Sequence, residues 1–156
     1  MAQRRRGRPR MRSATIPITR VTVDTGWVIA AERDPRRARL HIAALTRLGQ
    51  VMVVSPVVIV EARQRAVDVG RVDVVLARLE QESITPEDGR RASDLLREAG
   101  RQSGNPHRRI HEIGLADALV AALAERLGGI VYTCDPLHLG WLREAGARIT
   151  VVPVPF

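Results

Sequence analysis

The stretch GLADALVAALAERLGGIVYTCD, Gly114 to Asp135, decides how this chain is read. Its first part predicts an amphipathic helix, and Gly128-Gly129 breaks it. Ile130 to Thr133 then reads as a short apolar strand, with an acid, Asp135, where the strand runs out. A second acid, Asp117, falls in the first turn of the helix. Nothing in a helix and a strand alone requires two acids at those places, so the question is what they face.

Outward from this stretch the same grammar repeats. Val21 to Val23 is a β-branched run ending at Asp24, and Thr25 to Glu32 follows as a helix. Asp34-Pro35 caps a helix reaching about Leu48, stopped by Gly49. Val51 to Ser55 is a second buried strand, and Pro56 opens a helix that carries Glu61 to about Gly70. Val72 to Glu80 is helical, Ser83 to Thr85 a short edge strand, and Thr85-Pro86-Glu87-Asp88 a cap for the next helix. Gly100 to His111, with Gly104, Asn105 and Pro106 at its middle, reads as a polar loop. Pro136 to Ala145 is a last helix and Arg148 to Val152 a last strand. Continuous apolar strands alternating with helices predict an α/β protein, a parallel sheet covered on both faces.

Composition sets the bounds. The 156 residues suit one domain, with 45% apolar and 27% charged residues. The single cysteine, Cys134, precludes an intrachain disulfide, and a reducing, cytoplasmic setting is expected. No apolar run approaches the roughly 20 residues of a spanning helix, so no membrane role is expected. The net charge is +8, and Arg4, Arg5, Arg6, Arg8, Arg10, Arg12 and Arg20 supply +7 within the first twenty residues. The other 136 residues therefore carry only +1. Residues 1–19 read as a disordered arginine-rich tail, and 20–156 as the folded domain. Arg6-Gly7-Arg8-Pro9-Arg10 resembles an AT-hook core, which would give the tail a weak DNA contact. An unstructured leader, or Met11 as the true start, is the blander account of the same residues. All 25 basic residues are arginine, which excludes lysine-dependent chemistry. No P-loop or dinucleotide fingerprint occurs, and neither histidine spacing nor a cysteine pair suggests zinc.

In a parallel α/β sheet, ligands bind beyond the carboxyl ends of the strands. Asp24 and Asp135 lie at such ends, and Glu61 and Asp117 near the starts of helices that such an edge leads into. Each acid has an ordinary account by itself: a turn, a helix cap, a solvated face, a dipole partner. Together they make an all-oxygen cluster whose mutual repulsion calls for a hard divalent cation, Mg²⁺ or Mn²⁺. Thr25 and Thr133 stand beside two of them and can position a water or a carboxylate. Arg63, Arg65, Arg108 and Arg109 are candidates for meeting a phosphate backbone, though solvated faces and a charged loop account for them equally well.

Val21-Thr22-Val23-Asp24-Thr25, then Glu61, then Ala116-Asp117-Ala118-Leu119-Val120-Ala121-Ala122, then Thr133-Cys134-Asp135 resemble the PIN domain. The likeness covers roughly Arg20 to Val152 and is greatest to VapC-type toxins, the ribonucleases of bacterial toxin–antitoxin pairs. The resemblance implies a three-layer α/β/α sandwich and Mg²⁺-dependent endonucleolytic cleavage of RNA. It places catalytic acids at Asp24, Glu61, Asp117 and Asp135, metal ligands at Asp24, Asp117 and Asp135, and a supporting hydroxyl at Thr133. Gly26 departs from the serine of many relatives, and Cys134 replaces a commoner serine. A cognate antitoxin and a homodimer are the partners implied, with Trp27 and Ile29 as contact residues unless they are core. The alternative is a catalytically silent module, or a nucleic-acid binder whose salt-dependent affinity would vanish with Met1 to Thr19.

Overall fold

The structure is a computed structural model that describes residues 17–156. The arginine-rich segment with the AT-hook resemblance lies almost wholly outside the described residues. Chain order is β1 (Thr19–Val23), α1 (Thr25–Arg33), α2 (Pro35–Arg47), β2 (Gln50–Val54), α3 (Pro56–Arg65) and α4 (Val69–Leu76). It continues with β3 (Glu80–Gln81), α5 (Pro86–Arg101), α6 (Pro106–Leu127), β4 (Ile130–Thr133), α7 (Leu137–Glu144) and β5 (Thr150–Pro153).

The five strands form one parallel sheet in the order β3-β2-β1-β4-β5. Val21, Thr22 and Val23 are successive and all fully buried. Successive strand residues point to opposite faces, so both faces of β1 are covered. One helical group is built around α6, which packs on β1 and β4 and carries α5 and α7. The other is built around α1, which packs with α2, α3 and α4. Ala118, Ala121, Ala122 and Ala124 on the buried side of α6 are small enough to let the helix lie close against the sheet.

Register delivers the site. Val23 is aligned with Tyr132 across the β1–β4 pair, so the next residues, Asp24 and Thr133, become neighbours despite 109 positions of separation. In β1 and β2 burial deepens toward the carboxyl end, and each strand hands over to a helix cap, Asp24 for α1 and Ser55 for α3.

Several boundaries differ from the sequence reading. The edge strand is Glu80–Gln81, not Ser83 to Thr85, and it is exposed on both sides. Its pairing with Val53 and Val54 fixes it, and Arg20 bridges to Glu80 and Glu82. The predicted helix Val72 to Glu80 begins at Val69 and ends at Leu76, because Asp68 caps it by accepting from the Arg71 amide at 3.1 Å. Most of the predicted loop from Gly100 to His111 is helix. Asn105 accepts from the Arg108 amide at 3.1 Å and Pro106 takes the first helical position, so α6 starts there. Thr19 belongs to β1, pairing with Gln50, one residue inside the segment assigned to the tail. Trp27 and Ile29, 0% and 7% exposed, are core and not partner-contact residues.

Candidate active site

Beyond the carboxyl ends of β1 and β4 lies a cleft of about 330 Å³, whose lining includes Asp24, Glu61, Asp117 and Asp135. Four elements supply them: the β1–α1 junction, the middle of α3, α6, and the β4–α7 junction. Asp117 reaches the cleft because α6 is broken. Gly114 has φ 79° and ψ 165°, which no helix contains, so a new helical segment starts at Leu115 with Asp117 in its first turn. That places the carboxylate beside freshly exposed N–H groups and the positive end of the segment.

Each acid is held by a neighbour. Asp24 Oδ1 accepts from the Trp27 amide at 2.8 Å, so the residue does cap α1, and Oδ2 accepts from the Thr133 hydroxyl. The same hydroxyl oxygen accepts from the Asp135 amide at 2.9 Å, locking the end of β4 to the end of β1. Glu61 Oε2 accepts from the Thr25 hydroxyl at 2.5 Å. Asp135 Oδ1 accepts from the Leu137 amide at 3.3 Å, but the N-cap of α7 is Pro136 and no side chain caps that helix. Asp117 Oδ2 stands 3.0 Å from Nδ1 of His138, a cleft residue that the sequence reading did not single out. His138 lies at the start of α7, and no local signal marks it, because the carboxylate it meets is on another helix.

Electrostatics sharpen the picture. Asp24 is 4% exposed, and burial pushes its carboxyl up to about 6 against the hydrogen bonds from Thr133 and Trp27, with the charges of Asp117 and Asp135 adding to the rise. Burial also raises Asp117; His138 opposes that, while Glu61 and Asp135 reinforce it. Cys134 is pushed up to about 11 by burial and by the Asp24 charge, which makes it a poor nucleophile at neutral pH.

The four arginines named from sequence do not act alike. Arg65 lines the cleft and approaches Glu61 at 3.5 Å. Arg63 faces elsewhere and pairs with Asp73 of α4. Arg108 pairs with Glu112 at 2.7 Å, one turn along α6. Arg109 lies over the Trp141 ring, 3.7 Å from its centroid. None of these three lines the cleft.

Among the described residues, no three acidic, histidine or cysteine side chains stand close enough together to hold a metal ion by themselves. The carboxylates are nonetheless oxygen donors facing one cleft, with Asp24 buried, Glu61 and Asp117 half-buried and Asp135 exposed, and their charges repel. That suits Mg²⁺, which keeps several waters and is commonly bound through one or two carboxylates and a substrate phosphate, with no all-protein cage.

The family model for the PIN domain matches residues 21–138. The chain belongs to the PIN domain family. No curated protein matches its sequence. Its fold is similar to a chain in the crystal structure of VapBC2 from Rickettsia felis bound to a DNA fragment from their promoter, with a TM-score of 0.66 at 14% identity. That match covers 88% of this chain and 100% of that one. A chain of DNA-bound VapBC from Salmonella typhimurium gives 0.63 at 17% identity, covering 87% and 98%. This PIN domain thus carries its cleft acids at the sheet edge where α/β folds place their ligands.

Proposed function

We propose that this PIN domain is a divalent-metal-dependent endoribonuclease and the toxin of a toxin–antitoxin pair, with an antitoxin and a second copy of itself as partners. The observation that carries the reading is the convergence of Asp24, Glu61, Asp117 and Asp135, from four separate elements, on one cleft. Structural acids have no reason to gather where their charges raise the pKa of Asp24 and Asp117. A bound Mg²⁺ or Mn²⁺ supplies a Lewis acid for a phosphodiester and a more acidic water. Asp24, Asp117 and Asp135 are the candidates from which its one or two protein ligands would come, water and substrate phosphate completing the shell. Glu61, hydrogen-bonded to Thr25, would orient the attacking water and receive its proton, and Arg65, which lines the cleft beside Glu61, would meet a phosphate. The likeness to chains of VapBC complexes supports the choice of a toxin and of RNA as substrate.

The test uses the full chain with single-stranded RNA and Mg²⁺ or Mn²⁺. Asp24→Asn keeps an oxygen for the Trp27 amide and so keeps the α1 cap. Asp24→Asn and Asp117→Asn should each lower cleavage at least about a hundredfold, the upper end of what losing an outer partner of a metal ligand costs. Chelation should abolish cleavage. Undiminished cleavage by either folded variant would refute the assignment.

A further inference from the structure

Asp24, Glu61 and Asp135 accept from backbone amides or threonine hydroxyls, and Glu61 also meets Arg65 at 3.5 Å. Asp117 is held by a histidine. With its carboxyl ionised, the hydrogen in the 3.0 Å contact belongs to His138, so Nδ1 donates to Oδ2. The imidazole is itself braced. Its centroid lies 5.3 Å from that of Trp141, one helical turn along α7, with the rings tilted by 33°. Trp141 in turn lies under the Arg109 guanidinium, from the segment of α6 before the Gly114 break. Arg109, Trp141 and His138 therefore form a stack that runs from the first half of α6, through α7, to the acid at the start of the second half. The stack spans the break and ends on a cleft carboxylate.

We infer that His138 is a positioning residue: through Nδ1 it fixes the rotamer of Asp117, leaving Oδ1 directed for a divalent cation, with Trp141 and Arg109 holding the imidazole in place. The geometry supports this over a packing role. A side chain needed only to fill space beside Trp141 would not place a nitrogen 3.0 Å from a half-buried carboxylate. Outer partners of this kind set the orientation and basicity of a metal-binding carboxylate, and removing one typically weakens metal binding roughly ten- to a hundredfold. The inference rests on the functional reading above, and its test is built to fail separately from it.

Mn²⁺ affinity of the full chain is measured by titration calorimetry or by the free-ion electron paramagnetic resonance signal. Three variants are compared, with thermal melts to establish folding. His138→Ala should weaken Mn²⁺ binding roughly ten- to a hundredfold. His138→Asn carries an N–H donor close to the Nδ1 position and should recover most of that loss. His138→Gln carries its donor one bond further out and should not. RNA cleavage at saturating Mn²⁺ should change less than cleavage at limiting Mn²⁺. Equal Mn²⁺ affinity in the parent and His138→Ala, or equal rescue by Asn and Gln, would overturn the positioning role while leaving the nuclease reading intact. A parent chain that binds no Mn²⁺ would remove both. Should His138→Ala fail to fold, the Asn and Gln pair decides.

Discussion

Thr133 does three things with one side chain. It is fully buried, its hydroxyl donates to Asp24 Oδ2, and the same oxygen accepts from the Asp135 amide. Thr133→Val keeps the shape and deletes all the polar contacts. A buried carboxylate oxygen and an amide would both lose partners, at a cost of about 1–3 kcal/mol each if no water replaces the hydroxyl. The expected outcome is a lower melting temperature and RNA cleavage reduced about tenfold or more, while Thr133→Ser stays near the parent. Wild-type cleavage by Thr133→Val would show that the hydroxyl serves the core alone. Thr133 was legible in the sequence because it stands beside the strand-end acid and matches the supporting hydroxyl that the PIN resemblance implies. His138 was not visible in that way. A lone histidine acquires meaning only from the carboxylate it meets, and Asp117 lies 21 positions away on another helix.

At the scale of elements, the break in α6 decides where Asp117 points. Gly114, at φ 79° and ψ 165°, occupies a region open essentially to glycine alone. A Cβ at this position would meet nothing within 4 Å, so any penalty for Gly114→Ala is backbone strain and not a clash. The variant should lose about 1–3 kcal/mol in urea unfolding. RNA cleavage should fall further than stability explains, since relaxing the strain straightens α6 and turns Asp117 away from the cleft. Gly89→Ala is the control: it lies on the exposed helical surface of α5 with open space around it, and should stabilise by roughly 0.5–1 kcal/mol. Loss of stability without extra loss of cleavage in Gly114→Ala would sink the account. The break also explains what the sequence concealed. Alternation of buried strands with helices was legible, and so were the caps at Asp34 and Thr85, because each is a local signal. Gly104-Asn105-Pro106 was read as a loop, yet the same Asn-Pro pair is a helix start. The Asn105 cap and Pro106 at the first helical position start α6 there, as Asp34-Pro35 starts α2. The edge strand β3 carries no apolar pattern at all; its place comes from the β2 ladder and the Arg20 bridges, neither of which is a property of its own two residues.

Across the whole molecule, two sets of carboxylates pull stability in opposite directions. Away from the cleft several acids are paired with arginines. The Arg126 and Arg20 guanidinia hold Glu82 below its usual range, and Arg91 does the same for Glu125. Burial works against Asp88, but Arg126 and the Thr85 cap overcome it. These groups contribute stability that is present above their unfolded pKa values and is lost as pH falls below about 4. Asp24 and Asp117 in the cleft behave in reverse. Folded Asp24 keeps its proton to about pH 6, whereas the unfolded chain releases it near 3.8. Between those values the folded state binds more protons, so stability falls as pH rises. Two units correspond to about 3 kcal/mol as a ceiling, with the raised Asp117 acting in the same direction. In a chelator, the melting temperature should therefore peak near pH 4–5 and decline toward pH 7.5. Mn²⁺ or Mg²⁺ neutralises the ionised cluster, so it should raise the melting temperature at pH 7.5 and do progressively less as pH drops below about 6. Asp24→Asn should abolish most of both effects while leaving the acid limb below pH 4 in place. A chelated protein that gains stability from pH 5 to 7.5, or one whose melting ignores Mn²⁺ at pH 7.5, would show that the four acids do not share a charge that needs a cation.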